Sequence, residues 1–240
     1  MVSIFCIRQN VVLCLLLLPW LVAEAEIKIS TLNSHMPRIQ ASAMVMGRIY
    51  RQLKVDWRLL RIPTDDALKG ANSGVVDGEL IRIKGIEDSL NRLQRIPYPI
   101  ARIKLIAYTA EGSGVVTSIA DLAGRSIAVI RGVALTDGLT KGQERHYADT
   151  VEGLFRLLDS KQADIVLTFK LDADLYLETA DKQADYLASA PLLEVEMFHY
   201  LHKRNGTLID RLTRHMQRLD ETGELERMIS QAEAMAIYPK

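Results

Sequence analysis

Hydrophobic and polar positions follow two periods along the chain from residue 26 onward. Residues 27–31 and 57–62 have the apolar content and alternation that favour strands, and residues 79–83 continue as a third strand. Between them, residues 39–53 and 64–74 place apolar side chains at broadly helical spacing. Strands separated by helices predict a parallel sheet with right-handed crossovers.

The stretch 71–82 joins a predicted helix end, a tight turn and a short strand. Gly74 ends the helix, and the strand finishes on Arg82, with Lys84 two residues further on. Ligands of α/β sheets bind beyond the carboxyl ends of the strands. Arg82 and Lys84 are therefore expected at a binding cleft.

The same alternation occurs a second time after a glycine-rich segment. Residues 96–99 are rigid and extended because of two prolines, residues 103–109 predict a strand, and Glu-Gly-Ser-Gly at 111–114 is the predicted linker. Beyond it the pattern predicts strands at 125–130, 163–168 and 194–201 and helices at 118–122, near 135, at 150–160, 173–177, 208–219 and 225–235. The last two helices have no strands of their own, so they must pack on an existing sheet.

These elements predict an α/β chain of two lobes with a cleft between them. The first lobe is discontinuous and comprises residues 26–109 and 202–240, and the second comprises residues 110–201. Two extended crossovers form the hinge. The chain is expected to be a monomer.

The first 25 residues have the three parts of a secretory signal peptide. Arg8 supplies the positive charge, residues 11–22 are apolar, and 23–25 is a small-x-small cleavage site. The apolar stretch of about 12 residues is too short for a membrane span, which needs roughly 20. A periplasmic protein without stable membrane insertion is predicted, with an uncleaved anchor as the alternative. Cys14 lies inside the apolar stretch after Leu13, which does not fit a lipid anchor.

Charge and cysteine content exclude several classes of protein. Lysine plus arginine equals aspartate plus glutamate at 30 each, and no basic cluster indicates a nucleic-acid partner. Cys6 and Cys14 are the only cysteines, and both lie in the predicted leader, so no disulfide, thiol nucleophile or cysteine metal site is expected. His199 and His202 diverge on a predicted strand, which does not favour a metal site. No hydrolase or phosphate-loop motif occurs, and no cofactor or catalytic residue is predicted.

Four short motifs occur in a fixed order, at 74–77, 121–132, 162–164 and 202–206. Together they resemble the family-3 periplasmic solute-binding proteins, the polar amino-acid binders of ABC importers. The resemblance covers essentially the whole chain after the leader. It implies a two-lobed periplasmic-binding-protein-like fold of type II, with mixed, mostly parallel sheets. It also implies that the chain closes on a small-molecule solute and delivers it to an ABC permease or to the periplasmic domain of a membrane sensor.

Two departures from the family pattern concern the ligand. The family's Thr-Pro-Glu-Arg-like stretch, whose arginine holds the carboxylate, is replaced here by residues 82–88. The aspartate that usually meets the ammonium group falls at about Phe169, with Lys170 next. The sequence therefore predicts a polar or anionic solute without identifying it.

Arg82 and Lys84 are the first candidates for ligand contact, as an anion clamp on one side of a strand. The alternative is an ion pair on the lobe surface with Glu79, Glu87 or Asp88.

The other candidates follow strands of either lobe. In the first lobe the loop after the first strand offers Asn33, Ser34 and His35, with a solvated loop as the alternative. In the second lobe, the turn at Gly132, Val133 and Ala134 offers backbone N–H groups, and Thr168 and Phe169 end a strand. A solvent-facing turn and a core phenylalanine are the corresponding alternatives.

Two other functions remain open. An enzyme on the same scaffold, as in cyclohexadienyl dehydratases, would need a general acid or base, for which Glu79 and His35 are the candidates. A degenerate pair of lobes that acts only as a protein-interaction module would bind no small molecule.

Overall fold

A computed structural model describes residues 26–32 and 36–237. The predicted signal peptide and Asn33, Ser34 and His35 lie outside the described residues. The strands are β1 (Ile27–Leu32), β2 (Trp57–Ile62), β3 (Gly78–Ile83), β4 (Leu93–Ala110), β5 (Ile127–Ile130), β6 (Arg145–Ala148), β7 (Ile165–Phe169), β8 (Tyr186–Ala188) and β9 (Leu193–His202). The helices are α1 (Pro37–Gln52), α2 (Thr64–Ser73), α3 (Ala134–Leu139), α4 (Val151–Asp159), α5 (Lys170–Thr179), α6 (Gly206–Glu221) and α7 (Glu224–Ile237).

The strands form one mixed sheet in the order β2-β1-β3-β9-β4-β7-β5-β6, with β8 paired to β4. β1 pairs in parallel with β2 and β3, and β5 pairs in parallel with β6 and β7. Each parallel group is joined to the centre by antiparallel pairing, β3 with β9 and β7 with β4. The predicted two-lobed α/β fold is confirmed, with one mixed sheet whose described pairings are four parallel and four antiparallel.

Two long strands cross between the halves. β4 pairs antiparallel with β9 from Leu93↔His202 to Leu105↔Leu193, and the register shifts on both sides of Pro99. Proline has no N–H to donate to the ladder, so an irregularity is expected there. These strands are the two extended crossovers that the sequence predicted.

Each half has its own hydrophobic core. In the first, α1, α6 and α7 pack with β1 and β3 around fully buried residues such as Met46, Ile49, Leu80 and Leu212. In the second, α4 and α5 pack with β5 and β7 on one face of the sheet, around Leu154 and Phe155. The closing helices α6 and α7 therefore pack in the first core. No helix within residues 26–32 and 36–237 has both the length and the apolar content needed to cross a bilayer.

The prediction of a linker at 111–114 is wrong. β4 is one continuous strand of 18 residues, and its end, Leu105 to Tyr108, pairs with β7 in the second half. The glycine-rich segment is only a turn within that half, in which Thr109 Oγ1 donates to Gly114 O at 2.9 Å. β-Branched and aromatic residues keep the strand extended through both prolines, so the crossing needs no flexible linker. The short strands β6 and β8 were not predicted. The lobe boundaries at 109 and 201 stay predictions.

The motifs at 74–77 and 162–164, which both end in an aspartate, hold equivalent junctions in the two halves. Asp77 Oδ2 accepts from the Lys28 N–H at 2.9 Å, and Asp164 Oδ2 accepts from the Ser126 N–H at 2.9 Å. In each case a carboxylate before a parallel strand binds the backbone of the neighbouring strand. Burial raises the pKa of Asp77, but the bonds from Lys28, Arg204 and Asn205 outweigh it and leave that pKa lowered. The motifs therefore fix strand register.

Candidate ligand-binding site

The candidate site lies where the first turns of α1 and α5 meet. α1 follows β1 in the first half, and α5 follows β7 in the second. Because both helices begin beyond the carboxyl ends of parallel strands, their first turns stand where α/β sheets bind ligands. We call this meeting place the seam.

A buried ion pair crosses the seam. Arg38, the second residue of α1, contacts Asp172 Oδ2 through its Nη1 atom, and Asp172 is the third residue of α5. Their side chains are only 9% and 2% exposed. The guanidinium also lies over the Phe169 ring, 4.6 Å from its centroid. Burial lowers the pKa of Arg38 to about 10, so the group stays charged at neutral pH.

A second buried pair lies within the first half at the end of β3. Arg82 Nη2 is 2.9 Å from Glu79 Oε1, while Glu79 Oε2 accepts from Ser30 Oγ at 2.6 Å. Glu79 is fully buried and Arg82 is 16% exposed. Burial raises the pKa of Glu79 to about 7, although Arg82 and Ser30 act in the opposite direction.

The Arg82 guanidinium is incompletely bonded. Its Nε atom has no hydrogen-bond partner among the described residues, and its Nη2 atom faces Glu79 Oε1 at 2.9 Å. Arg82 therefore makes the ion pair with Glu79 that was the alternative to an anion clamp, and still has a donor to offer. Lys84 lies in the exposed turn after β3. The ligand roles of both residues stay predictions.

The predicted ligand contacts of the second half differ in how exposed they are. Gly132 and Ala134 are exposed and Val133 is partly buried, before a helix of only six residues. Thr168 and Phe169 end β7 and are buried. Phe169 belongs to the hydrophobic core, which was the alternative to a ligand contact, and its ring also lies against Arg38 at the seam. The ligand roles of these residues stay predictions.

A cavity of about 370 Å³ lies beside the seam, between α1, α5, α7 and the middle of β4. Arg38 and Phe169 form part of its wall, Val45 and Ile229 contribute apolar surface, and Glu233 contributes an acid. Burial raises the pKa of Glu233. The cavity therefore touches both halves of the molecule next to the buried ion pair.

The histidines of β9 have separate surroundings. His199 is fully buried, with Nε2 2.8 Å from the Tyr50 hydroxyl and Nδ1 3.1 Å from Leu80 O. His202 instead accepts from the Arg204 N–H through Nδ1 at 3.1 Å. Among the residues described, no group of three or more metal-ligating side chains comes together.

Sequence reasoning missed Arg38 and Asp172. A usable signal was present, because a cation in the first turn of a helix opposes the helix dipole and so suggests a tertiary partner. Asp172 sits in the first turn of α5, where a carboxylate is favoured. Their pairing could not be found from the pattern, since nothing local joins α1 to α5.

Sequence comparison identifies no family. No family model matches the chain. An uncharacterized protein of Shewanella oneidensis is 25% identical over 181 residues, which cover 72% of this chain and 68% of that protein.

Solved structures match over most of the chain at low identity. The GluR0 ligand-binding core in complex with L-glutamate has a TM-score of 0.74 at 14% identity, covering 87% of this chain and 98% of that one. An ancestral arginine-binding protein bound to arginine has a TM-score of 0.69 at 15% identity, covering 87% and 98%. A histidine kinase sensor domain with similarity to periplasmic binding proteins has a TM-score of 0.69 at 14% identity, covering 86% and 95%. The fold of this chain is that of the two-lobed periplasmic binding proteins.

Proposed function

We propose that this protein is a divergent family-3 solute-binding protein that acts in the periplasm. It closes its two lobes on a small polar or anionic solute and presents the solute to an ABC permease or to the periplasmic domain of a membrane sensor. The observation that carries the proposal is the pair of separately packed halves, joined by β4 and β9, whose seam contains buried charges. Similar folds include proteins solved with L-glutamate or arginine bound and a histidine kinase sensor domain.

Arg82 is the proposed anion contact. Its guanidinium is largely buried at the end of β3, its Nη2 atom pairs with Glu79, and its Nε atom lacks a hydrogen-bond partner within the described residues. A guanidinium presents a planar fork that matches a carboxylate or phosphate. A solute oxygen that accepts from Arg82 would satisfy a donor that is otherwise buried without a partner.

The test is a thermal-shift screen of carboxylates, phosphates and amino acids, followed by calorimetry with Arg82→Ala and Lys84→Ala. We expect Arg82→Ala to lose about 1.5–3 kcal/mol of binding free energy, or roughly 10- to 150-fold in Kd. Lys84→Ala tests the second residue of the predicted clamp, and we expect it to change Kd by less than about threefold because this side chain lies in an exposed turn. Full affinity in Arg82→Ala would remove this residue from the site. No stabilisation by any compound would favour the interaction module without a ligand.

The enzyme alternative has one favourable observation, the pKa of about 7 for Glu79, which suits a general base at neutral pH. Against it, the Glu79 carboxylate is fully buried and already bonded to Ser30. Product formation in the same screen that Glu79→Gln abolishes would establish catalysis.

A further inference from the structure

The Arg38–Asp172 pair joins the two halves directly, side chain to side chain. Arg38 stands beside Ile39, which belongs to the first core, and Asp172 stands beside Ala173, which belongs to the second. The contact is therefore a bond between lobes rather than within one lobe. Over the described residues, the other ion pairs of the second half, such as Lys182 with Asp159, lie within that half and are more exposed.

Separation of the lobes would affect this pair in a defined way. With the lobes together, each charge is almost completely removed from water and each is neutralised by the other. The Phe169 ring packs against one face of the Arg38 guanidinium. This contact helps to hold the guanidinium beside Asp172. Loss of either partner would leave an uncompensated charge in a closed seam, which strongly disfavours that state.

We propose that Arg38 and Asp172 form a latch that holds the two lobes closed in the absence of solute. The lobes of a binding protein exchange between open and closed forms, and a contact made only in the closed form shifts the population toward it when its attraction exceeds the cost of removing both charges from water. Here the chain itself provides the opposite charges that meet between the lobes.

The latch also bears on the class of solute, and this part rests on the proposed function. Asp172 is the carboxylate of the second half that Arg38 neutralises, and Asp174, beside it on α5, is already paired with Lys170. A solute ammonium at this place would have to displace a guanidinium that stacks on Phe169. The latch therefore selects anions that lack an ammonium group over the matching amino acids.

The test measures the distance between the lobes in solute-free protein. Spin labels are attached at Lys69→Cys on α2 and Glu152→Cys on α4, both exposed positions, and the distance between the labels reports the separation of the lobes. The native cysteines do not compete for the label, because Cys6 and Cys14 lie in the predicted leader. The protein is refolded from denaturant before measurement to remove any solute that co-purifies. The variants are Arg38→Met, Asp172→Asn and the charge swap that combines Arg38→Asp with Asp172→Arg. Lys182→Met removes a cation from a pair within one half and is the control.

We expect the solute-free wild type and Lys182→Met to be mainly closed. Arg38→Met and Asp172→Asn should lower the ratio of closed to open by about tenfold or more, and the charge swap should restore part of it. If the lobes of the solute-free wild type are mainly open, the latch is overturned, whether or not the variants fold. Unchanged distances in correctly folded single variants overturn it as well.

Succinate with L-aspartate, and glutarate with L-glutamate, test the solute class by calorimetry. Preference of the wild type for the amino acid of either pair overturns the selection against ammonium groups, while leaving solute binding intact. If no compound of the wider screen binds, the proposed function fails, and the distance measurement still decides the latch.

Discussion

Two buried ionisable side chains of the first half have opposite pKa shifts. Burial raises the pKa of Glu79 to about 7 and lowers the pKa of His199 to about 4. Burial therefore favours the neutral form of both groups in the folded protein. The ordinary values are 4.5 for the acid and 6.5 for the imidazole, so the two shifts cover nearly the same pH range with opposite signs.

The pH dependence of stability follows from these signs. The native state binds the Glu79 proton more tightly than the unfolded state, so this contribution is present below pH 4.5 and is lost as pH rises through about 7. The native state binds a His199 proton less tightly, so that contribution is present above pH 6.5 and is lost as pH falls through about 4. Each is worth about 3 kcal/mol, and they largely cancel in the wild type.

Substitution of either residue should expose the contribution of the other. We expect His199→Gln to become less stable as pH rises from 4.5 to 7, and Glu79→Gln to become less stable as pH falls from 6.5 to 4. Urea unfolding at several pH values measures both slopes, and each variant is the control for the other. Parallel slopes in the two variants would contradict the opposite shifts.

At the residue scale, the motifs that gave the family resemblance have structural roles. Arg204 donates to Asp77 Oδ1 at 2.8 Å and also to Gly74 O, so the last motif binds the first. Gly74 has a φ of 83°, a conformation that glycine adopts without strain. Asp121 accepts three hydrogen bonds from Thr117 and Ser118 at the start of its own motif. Such residues carry information on the fold, which is why they did not identify the solute.

At the scale of elements, β3 and β9 approach closely at Gly78. A Cβ atom at this position would lie 2.2 Å from Tyr200 O and 2.8 Å from the Leu201 side chain. The first of these atoms belongs to the backbone of the paired strand and cannot rotate away. The glycine of the Asp77-Gly78 pair is therefore required by strand pairing.

Gly78→Ala should destabilise the first half by about 1–3 kcal/mol or more, because β9 must move away from β3. Gly138→Ala is the matched control. Gly138 lies inside α3 with no atom within 4 Å of an added Cβ, so alanine should stabilise the chain by up to about 1 kcal/mol. Thermal unfolding of both variants gives the comparison. Equal melting temperatures for Gly78→Ala and the wild type would contradict the close approach.

At the scale of the whole molecule, the two cores offer a test of independence. Trp57, in the first half, stacks on Tyr50 with ring centroids 5.3 Å apart. The only other tryptophan is Trp20, which is absent from protein expressed from residue 26 onward. Fluorescence therefore reports the first half alone, whereas far-ultraviolet circular dichroism reports both.

Leu154→Ala removes a fully buried side chain from the second core and should cost about 2–5 kcal/mol. We expect the circular-dichroism transition in urea to begin at lower denaturant concentration, while the Trp57 transition shifts much less. Ile49→Ala in the first core is the matched variant and should shift the fluorescence transition. Equal shifts of both signals in Leu154→Ala would show that the halves unfold as one unit.

The sequence by itself determined the elements and their grouping into two lobes. The period of its apolar positions is a local property, and local hydrogen bonding and burial of one face follow from it. The predicted strand at 103–109 was correct as far as it went. Its extension back to Leu93 was hidden by the two prolines, because a proline usually ends a strand. Here the strand continues, and only the register of its pairing with β9 shifts around Pro99.

Only the tertiary structure decided which charges meet at the seam. Arg38 and Asp172 belong to different halves, and their contact depends on how β4 and β9 carry one half against the other. The sequence correctly predicted that Arg82 lies near the end of a strand, here β3. It could not decide which of three nearby acids pairs with Arg82, and the structure shows that the partner is Glu79. Electrostatic pairing acts through space, and no periodicity along the chain encodes it.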